Sequence, residues 1–312
     1  MVSVITINYN HSQMTIDCVN SILSSDFENF KIELIDNGSQ VGDFQQLLET
    51  YTNNRKVNVH RIEKNCGYVG GINYGFEKAG GQNPDYYLIM NNDTIIDKLA
   101  MKVLVETAVK YDNAAIISGK VYHFDKPGIL QQTGMLFHDH RYIQGYYPGK
   151  NELDEGQYDQ EAFRDSLDDI FWLIPSKIVK DVGIYCNYFY LYAEQGDYAQ
   201  RTRRKGYKLV YAPEAKIWHK GSITTGEGNP EALPIWYWRG KGTFIFQYRN
   251  LQKKYFFILM MKIFIRYIIK SYILKDERNK QIKAQLSGYF SGLKWMFNKK
   301  PDNGYNPYLK QT

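Results

Sequence analysis

Cysteine, long apolar runs and a secretion signal are scarce or missing in this sequence of 312 residues. Its three cysteines, Cys18, Cys66 and Cys186, have neither disulfide nor metal-ligand spacing. The N-terminal segment MVSVITINYN has no basic region and no cleavage-site pattern, so it predicts a strand. The longest apolar run near the C-terminus, residues 255–261, is much shorter than a membrane span. These absences argue against disulfide-rich and membrane-spanning classes, and we expect a cytoplasmic protein.

Acidic residues are scarce in the last fifth of the chain. Residues 250–312 hold 13 basic and 3 acidic side chains, a net charge of +10, whereas residues 1–249 hold 26 and 30, a net charge of −4. Within residues 250–275, Lys262, Arg266 and Lys270 are spaced by four, which predicts a basic amphipathic helix. Such a helix fits peripheral contact with the inner face of the cell membrane. The alternative is packing on the rest of the chain or on a second subunit in a homo-oligomer. Nothing else in the sequence supports nucleic-acid binding.

Strands alternate with helices over the first hundred residues. β-Branched and apolar runs predict strands at residues 2–7, 30–35, 57–62 and 86–90. Helical spacing predicts the intervening helices at residues 14–24, 44–51 and 71–79. The alternation predicts an α/β fold with a mostly parallel central sheet flanked by helices.

Polar side chains follow three of these strands. Asn8 ends the first, Asp36 and Asn37 end the second, and the stretch MNNDT (residues 90–94) ends the fourth. One interpretation is a turn, in which Asp93 caps a helix beginning near Ile95. The other is a ligand site, because the carboxyl ends of parallel strands share one edge of a sheet, where crevices form.

Regular structure is harder to predict after residue 114. Residues 138–169 are rich in Tyr, Gly and acid, and we interpret them as a surface excursion, either a lid or a solvated loop. Residues 188–204 predict strand, turn and helix, and residues 208–211 and 215–218 predict short strands.

Five blocks in this order resemble family 2 glycosyltransferases: VSVITINYN, LIDNGS, NCGYVGGINYG, YLIMNNDT and LYAEQGDYAQRTRRKGYKLVYAPEAKIWHKGS. The similarity covers about residues 2–250 and is greatest to rhamnosyltransferase-like members that build bacterial surface polysaccharides. It implies a GT-A catalytic domain over residues 1–249, with a nucleotide-binding half (about 1–113) and an acceptor-binding half (about 114–249), followed by the helical extension of residues 250–312. The glycines of the third block lack the spacing G-x-G-x-x-G of a dinucleotide site.

The resemblance implies an inverting, metal-dependent transfer of a sugar, rhamnose in similar members, from a dTDP- or UDP-linked donor to a saccharide or lipid-linked acceptor. A divalent ion, Mg²⁺ or Mn²⁺, offsets the charge that grows on the leaving diphosphate. Asp93 matches the metal ligand of the family, and His219 matches a position that completes the metal site. A lone histidine is more often a packed residue, so the role of His219 depends on the resemblance.

Other residues match family positions near the donor nucleotide. Asn37, following Asp36, matches the residue that meets the nucleobase, and an amide there offers a donor and an acceptor. Asn92 is expected to face the ribose or a metal-bound water. Turn chemistry is the alternative explanation for the glycines. The full predicted set comprises Ile7, Tyr9, Asp36, Asn37, Asn65, Gly67, Gly70, Asn91 and Asn92.

Inverting transfer also needs a carboxylate that removes the proton of the acceptor hydroxyl. The family supplies it from a Glu-Asp-x-Asp-like block, which here reads Glu194-Gln195-Gly196-Asp197. Gln195 is not a base at neutral pH. The sequence favours Asp197 as the base, with Glu194 orienting the acceptor and Gln195 bonding one of its hydroxyls; for one of the two acids, capping the helix or pairing with Arg201 is the alternative.

Departures from the family pattern leave a second function open. The missing second acid of the block is compatible with a catalytically silent relative that binds a nucleotide sugar or a partner enzyme. A nucleotidyltransferase would need a glycine-rich loop after the first strand, and NYNHSQM contains no glycine. Before Leu173, where the family often has small residues, the chain reads Asp169-Ile170-Phe171-Trp172. Large side chains there would narrow the sugar pocket or stack on the acceptor ring.

Overall fold

The computed structural model describes residues 1–221, 232–273 and 277–309. The strands are β1 (Val2–Asn8), β2 (Phe30–Asn37), β3 (Val57–Ile62), β4 (Tyr86–Met90), β5 (Thr94–Ile96), β6 (Ala115–His123), β7 (Leu130–Gln132), β8 (Leu136–Asp139), β9 (Gln144–Tyr146), β10 (Ala162–Phe163), β11 (Phe171–Pro175) and β12 (Lys208–His219). The helices are α1 (Ser12–Leu23), α2 (Val41–Tyr51), α3 (Gly67–Gly80), α4 (Ala100–Lys110), α5 (Ser176–Val182), α6 (Glu194–Arg204), α7 (Leu233–Asn250), α8 (Lys253–Ile273) and α9 (Glu277–Asn298).

The described residues pack as two compact units. Unit 1 contains Met1–Leu136, Tyr146–Tyr185 and Tyr198–Gly221. Unit 2 contains Phe137–Gly145, Cys186–Asp197 and the described residues after position 221. The division into a nucleotide-binding half, an acceptor-binding half and an extension is a functional one, and it stays a prediction.

Unit 1 is built on a mixed sheet in the order β10-β12-β6-β11-β4-β1-β2-β3. Strands β4, β1, β2 and β3 are parallel to one another, β6 is parallel to β12, and β11 runs antiparallel between β4 and β6. Apolar side chains of β1, β2 and β4, among them Val4, Ile32 and Leu88, are fully buried in its core. The predicted α/β class, with a mostly parallel central sheet flanked by helices, is confirmed.

Three local predictions were wrong. No helix begins near Ile95, because residues 94–96 form β5, which pairs with the end of β12. The two short strands predicted at residues 208–218 are one strand with an irregular register between Ala212 and Lys216, where the polar break in the sequence lies. Of the strand, turn and helix predicted over residues 188–204, the strand is absent: residues 188–193 form turns and bends, and α6 follows them.

Part of the excursion at residues 138–169 is held to the sheet by a buried lysine. Lys120 of β6 is 1% exposed, and its Nζ lies 2.7 Å from Oδ2 of Asp154 and 2.5 Å from Oδ1 of Asp159. Tyr122 donates to the same Asp154 oxygen at 2.5 Å. A buried ammonium without partners is strongly disfavoured, so these acids both neutralise Lys120 and fix residues 154–159. This part of the excursion is therefore anchored and is not a freely solvated loop.

Unit 2 has its own core, formed where α7, α8 and α9 pack. Phe244, Phe256 and Tyr289 are buried there with edge-to-face ring contacts. Two glycines let α7 and α9 approach closely: a methyl group at Gly240 would lie 2.1 Å from the carbonyl oxygen of Gln285, and one at Gly288 would lie 2.1 Å from that of Tyr237. The predicted C-terminal helical extension is confirmed by α8 and α9, and its boundary at residue 250 stays a prediction.

Packing of α3 on β1 explains the glycine-rich third block. A methyl group at Gly71 would lie 2.7 Å from Cδ1 of Ile7, and one at Gly75 would lie 2.3 Å from Cγ2 of Ile5. Both isoleucines point from β1 towards the helix, and Ile5 is fully buried. Close approach of the helix to the strand therefore requires these two glycines.

Two glycine substitutions should have opposite effects on stability. Gly75→Ala should lower the free energy of unfolding by about 1–3 kcal/mol, because the β-branched Ile5 has no room to move. Gly42→Ala, in α2 with no atom within 4 Å of the added methyl group, should raise it by about 0.5–1 kcal/mol. Urea unfolding measures both. Equal effects would contradict this account of the packing.

Candidate active site

Asn8 joins the carboxyl ends of β1 and β2. Its Nδ2 lies 3.0 Å from Oδ1 of Asp36, 3.1 Å from Oγ of Ser39 and 2.6 Å from Oδ2 of Asp43. Burial acts to raise the pKa of Asp43, but hydrogen bonds from Asn8 and Ser12 hold that pKa below its ordinary value. Both carboxylates therefore fix the end of β1, and Asp36 is fully buried in this arrangement.

The same network reaches β4 through Thr15. Thr15 Oγ1 donates to Oδ1 of Asn8 at 2.8 Å, and Nδ2 of Asn92 donates to Thr15 Oγ1 at 2.8 Å. The three polar strand ends thus meet at one edge of the sheet, as the sequence predicts. Asn92 is buried and bonded within the protein, and its predicted contact with ribose stays a prediction.

Asp93 follows Asn92 directly and faces His219. The antiparallel pairing of β5 with β12 sets Thr94 opposite His219, and the backbone N–H of Lys220 donates to the Asp93 carbonyl at 2.8 Å. As a result Nε2 of His219 lies 3.1 Å from Oδ1 of Asp93. Both side chains are more than nine-tenths buried. The structure therefore brings together the two metal ligands that the resemblance implies.

The protonation of His219 makes this contact unusual. Its Nδ1 lies 2.8 Å from Oε1 of Gln131, an amide oxygen that only accepts hydrogen bonds. In the neutral ring Nδ1 therefore carries the proton, and Nε2 presents a lone pair towards Asp93 Oδ1. Within the described part of the chain, that oxygen has no other donor, and a charged His219 would form an ion pair with it. With a neutral ring, two buried acceptors face each other, an arrangement that a cation between them relieves.

A divalent ion fits this pair in chemistry and in spacing. Neighbouring ligands at about 2.1 Å in an octahedral site lie about 3.0 Å apart, close to the separation of these two atoms. Imidazole and carboxylate are both ligands of Mn²⁺, and carboxylate is a ligand of Mg²⁺. Over the ranges that the structure describes, no group of three or more His, Cys, Asp or Glu side chains is arranged to hold a metal. A metal ion bound by Asp93 and His219 would need further oxygen ligands from a bound molecule or from water.

Asn37 stabilises the loop before α3. Its Nδ2 donates to the Gly67 carbonyl at 3.0 Å, its Oδ1 accepts from the Cys66 N–H at 3.1 Å, and Asn65 Oδ1 accepts from the Gly67 N–H at 2.8 Å. Gly38, with φ +78°, lets the end of β2 approach this loop closely, since a methyl group at Gly38 would lie 2.4 Å from the backbone nitrogen of Asn65. Asn37 thus has a structural task, and its contact with a nucleobase stays a prediction.

The remaining predicted nucleotide residues lie along the same edge. Ile7 lies near the end of β1, and Tyr9, which directly follows β1, is 36% exposed. Gly70 lies inside α3, where a methyl group would meet Cys66 Sγ at 2.6 Å, so its small size serves packing. Asn91 accepts from the Tyr68 hydroxyl at 3.4 Å.

Asp169 is a buried acid with two tyrosine partners. The sequence analysis mentioned it only as one of the large residues before Leu173. Its Oδ2 accepts from the Tyr185 hydroxyl at 2.7 Å, and Tyr68 is a second donor to the carboxylate. Burial raises the pKa of Asp169 to about 6, although both hydrogen bonds oppose the shift. Tyr68 also bonds Asn91, so Asp169 is linked to the end of β4. No periodicity or spacing in the sequence predicts the contact of Asp169 with Tyr185 and Tyr68.

The acid block belongs to unit 2, at the start of α6. Asp197 is fully buried, and its Oδ1 lies 2.8 Å from Nε of Arg249 and 3.0 Å from Nδ2 of Asn250. A second Arg249 nitrogen, Nη2, lies 3.3 Å from Oδ2. Burial acts to lower the pKa of Arg249, but the Asp197 carboxylate raises it above its ordinary value. Arg201, the predicted alternative partner, donates to the carbonyls of Val182 and Ile184, and its pairing with either acid stays a prediction.

Glu194 follows a strained turn. Tyr192 and Ala193 both have positive φ, 70° and 71°, a conformation that L-residues with side chains rarely adopt. Such residues cost about 1–3 kcal/mol each and are concentrated at active sites. Gly242 of α7 accommodates the turn, since a methyl group there would lie 2.4 Å from the Tyr192 carbonyl oxygen. Glu194 is buried as the first residue of α6, and Gln195 is half-buried beside it.

Several contributing residues were missed by the sequence analysis. Gln131 and Arg249 lie 88 and 52 positions from the side chains they contact. Lys220 places its Nζ 3.0 Å from Asp17, and its backbone N–H donates to the Asp93 carbonyl. Cys18 is fully buried, and burial raises the pKa of its thiol to about 12, so it is not a thiolate ligand. Only Lys220, which directly follows His219, had a signal in the sequence.

Comparison with known proteins gives a family and a fold. A family model described as "Glycosyl transferase family 2" matches residues 3–168, a span that contains the first four sequence blocks except for Val2. Among curated relatives, Glycosyltransferase GlyG of Streptococcus pneumoniae is 25% identical over 126 residues, 40% of each chain. Poly-beta-1,6-N-acetyl-D-glucosamine synthase of Staphylococcus aureus is 21% identical over 210 residues, 67% of this chain and 47% of the relative. The chain thus spans less than half the length of these relatives.

Two solved structures share the fold. The crystal structure of GalNAc-T7 with UDP, GalNAc and Mn²⁺ matches with a TM-score of 0.63 at 14% identity, over 97% of this chain and 58% of that one. The crystal structure of S. aureus TarS matches with a TM-score of 0.51 at 16% identity, over 75% of this chain and 38% of that one. At these identities the likeness is one of fold, and the predicted GT-A type is confirmed.

Asp169 should make stability depend on pH. Between about pH 4 and 6 the unfolded chain ionises this carboxyl while the folded chain keeps its proton, so the unfolded state binds fewer protons and the free energy of unfolding falls as pH rises. Asp169→Asn removes this effect. Relative to wild type, the variant should gain about 2–3 kcal/mol between pH 4 and pH 7 in urea unfolding. The exposed Asp26→Asn is the control, and a pH-independent difference for Asp169→Asn would contradict the assignment.

Proposed function

The chain belongs to glycosyl transferase family 2, as its sequence blocks predict, and we propose that it transfers a sugar from a nucleotide diphosphate donor to a saccharide or lipid-linked acceptor. The donor would be UDP- or dTDP-linked, with rhamnose as one candidate sugar. Relatives that include a polysaccharide synthase and a fold shared with a UDP-bound structure support this reaction class. The proposed reaction inverts the anomeric carbon.

The contact between Asp93 and His219 carries the proposal of metal dependence. Two buried acceptor atoms 3.1 Å apart, with the histidine tautomer set by Gln131, match the needs of a divalent cation. Asp93 and His219 would hold Mg²⁺ or Mn²⁺. When bound, such an ion offsets the negative charge that develops on a leaving diphosphate.

The charge on Lys220 supports the same leaving group. Its ammonium, next in sequence to His219, forms an ion pair with Asp17 at 3.0 Å and would turn to a bound diphosphate. Backbone N–H groups at the start of α3, held by Asn37 and Asn65, offer further donors to an anion. Tyr9, whose ring is partly exposed at the end of β1, would contact the nucleobase.

Glu194 is the proposed general base. The sequence alone favours Asp197, but Asp197 already accepts from Arg249 and Asn250, and this arrangement suits a carboxylate that stays ionised and fixed in place. Glu194 is set by the strained residues Tyr192 and Ala193, a feature concentrated at reactive groups. Glu194 would take the proton of the acceptor hydroxyl as its oxygen attacks the anomeric carbon opposite the leaving group. Gln195 would bond an acceptor hydroxyl.

A catalytically silent role remains the second candidate, and one observation favours it. Gln195 stands where the family places an acid. An active transferase and a silent relative would both bind a nucleotide sugar, but only the transferase would turn it over. Transfer by the wild-type chain, with a donor that it is shown to bind, separates them.

Removing either proposed metal ligand should abolish the metal-dependent part of nucleotide binding. In thermal melting, Mn²⁺ together with UDP or dTDP should stabilise the wild type by about 2.7 kcal/mol at a hundredfold excess over Kd. Asp93→Asn and His219→Ala should lose the increment that Mn²⁺ adds, because one of two protein ligands is gone. Asp125→Asn, an exposed acid two residues after His123, which pairs with His219 in the sheet, should keep it. An undiminished Mn²⁺ increment in both ligand variants would rule out this site.

The two acids of unit 2 should respond differently to amide substitution. Glu194→Gln should lower kcat at least about a hundredfold, the scale of general-base catalysis, with unchanged stability and donor binding. Asp197→Asn should lower the free energy of unfolding by about 2–4 kcal/mol, because Arg249 loses its charged partner in a partly buried site. Glu106→Gln, on an exposed face of α4, is the control.

The readouts are kcat with the donor identified by melting, and urea unfolding. A wild-type kcat for Glu194→Gln would show that the base is another residue. Absence of transfer by the wild-type chain with every donor it binds would favour the silent relative.

A further inference from the structure

Helix α8 is apolar on nearly all sides but is packed on one side only. Phe256, Leu259 and Met260 are buried against the core of unit 2. The opposite face carries large apolar side chains that are each between 44% and 82% exposed: Phe257, Met261, Ile265, Ile268, Ile269 and Tyr272. Helices that are apolar all round are normally covered on all sides. The exposed stripe, which we call the α8 surface, therefore needs a partner.

The α8 surface is continuous and extends onto α9. Its members recur every three or four residues, so they form one stripe along the helix. On α9 the exposed ring of Phe290 lies 5.3 Å from that of Phe264 of α8, centre to centre. An apolar surface of this extent is unlike the scattered apolar side chains of an ordinary protein surface. Over residues 1–221, 232–273 and 277–309, no helix has the length and hydropathy to cross a membrane.

A row of basic side chains borders the stripe. Lys262, Arg266 and Lys270 are spaced by four on one flank of α8, and Lys262 and Arg266 are exposed. Residues 253–273 contain no acidic side chain. The surface thus offers apolar area and positive charge side by side, over a helix about 30 Å long at 1.5 Å per residue.

The partner of the α8 surface could be a second copy of the chain or a lipid bilayer, and the charge of α8 favours the bilayer. In a two-fold dimer through the α8 surface, antiparallel helices would bring the basic rows of both copies together, and in either orientation α8 offers no acidic side chain to pair with the basic row of its partner. An anionic bilayer satisfies both features, since its hydrocarbon boundary takes the apolar stripe and its phosphate groups take the lysines and arginine. We propose that the α8 surface binds an anionic membrane, with the helix lying in the plane of the headgroups.

This binding would keep the chain beside lipid-linked acceptors, but it does not depend on the proposed transferase activity. Its test uses binding and not turnover, so a failure of either proposal is recognised separately. The probes are vesicles of phosphatidylcholine with and without phosphatidylglycerol, at low and high salt.

Co-sedimentation of the full chain with these vesicles tests the proposal. Wild type should bind vesicles with 30% phosphatidylglycerol at least about tenfold more tightly than pure phosphatidylcholine, and high salt should remove most of the difference. Met261→Gln with Ile265→Gln should weaken binding at least about tenfold, as should Lys262→Gln with Arg266→Gln. The matched controls are Leu99→Gln with Val109→Gln and Lys102→Gln with Lys150→Gln, at exposed positions of unit 1. Thermal melting checks that each variant folds.

Three results would overturn the proposal. The first is no binding of the wild type to phosphatidylglycerol vesicles at low salt. The second is equal binding by the α8 variants and their controls. The third is a concentration-dependent dimer in analytical ultracentrifugation that Met261→Gln with Ile265→Gln dissociates, which would make the α8 surface a subunit interface.

Discussion

The hydrogen bonds of the Asn8 side chain are the constraint on which the site depends. One amide holds the ends of β1 and β2 through Asp36, and Thr15 extends the contact to Asn92 at the end of β4. Each group is buried, so loss of any one would leave a partner unsatisfied in the interior. With Asn92 fixed, the next residue, Asp93, has a set direction. The pairing of β5 with β12 then brings His219 to it.

The proposed reactive side chains of the two units have different kinds of partners. In unit 1, the neutral side chain of Gln131 orients the His219 ring, whose other nitrogen faces Asp93. In unit 2, Asp197 is neutralised by Arg249, whereas Glu194 follows two residues with positive φ. Ion pairing fixes a carboxylate in its charged form, and a neutral hydrogen-bond partner fixes the orientation of a histidine ring.

Some of this arrangement was predictable from sequence and some was not. The alternation of strands and helices fixes the direction of β1, β2 and β4, so the meeting of their polar ends follows from residue order. The proximity of His219 to Asp93 came only from the resemblance, because β5, which aligns them, has three residues. The partners Gln131 and Arg249 depend on distant strand and helix packing, for which local pattern has no signal. The packing role of Gly71 and Gly75 likewise required knowledge of Ile5 and Ile7.

The central claim is that His219 and Asp93 together bind a divalent cation. Nuclear magnetic resonance of the chain labelled with ¹⁵N-histidine tests it directly, because the sequence has only six histidines. Substoichiometric Mn²⁺, added with UDP or dTDP, should broaden the His219 ring signals selectively, and in the neutral ring the proton should be on Nδ1, which faces the Gln131 oxygen. Unaffected His219 signals, while Mn²⁺ broadens those of other histidines or none, would contradict the account.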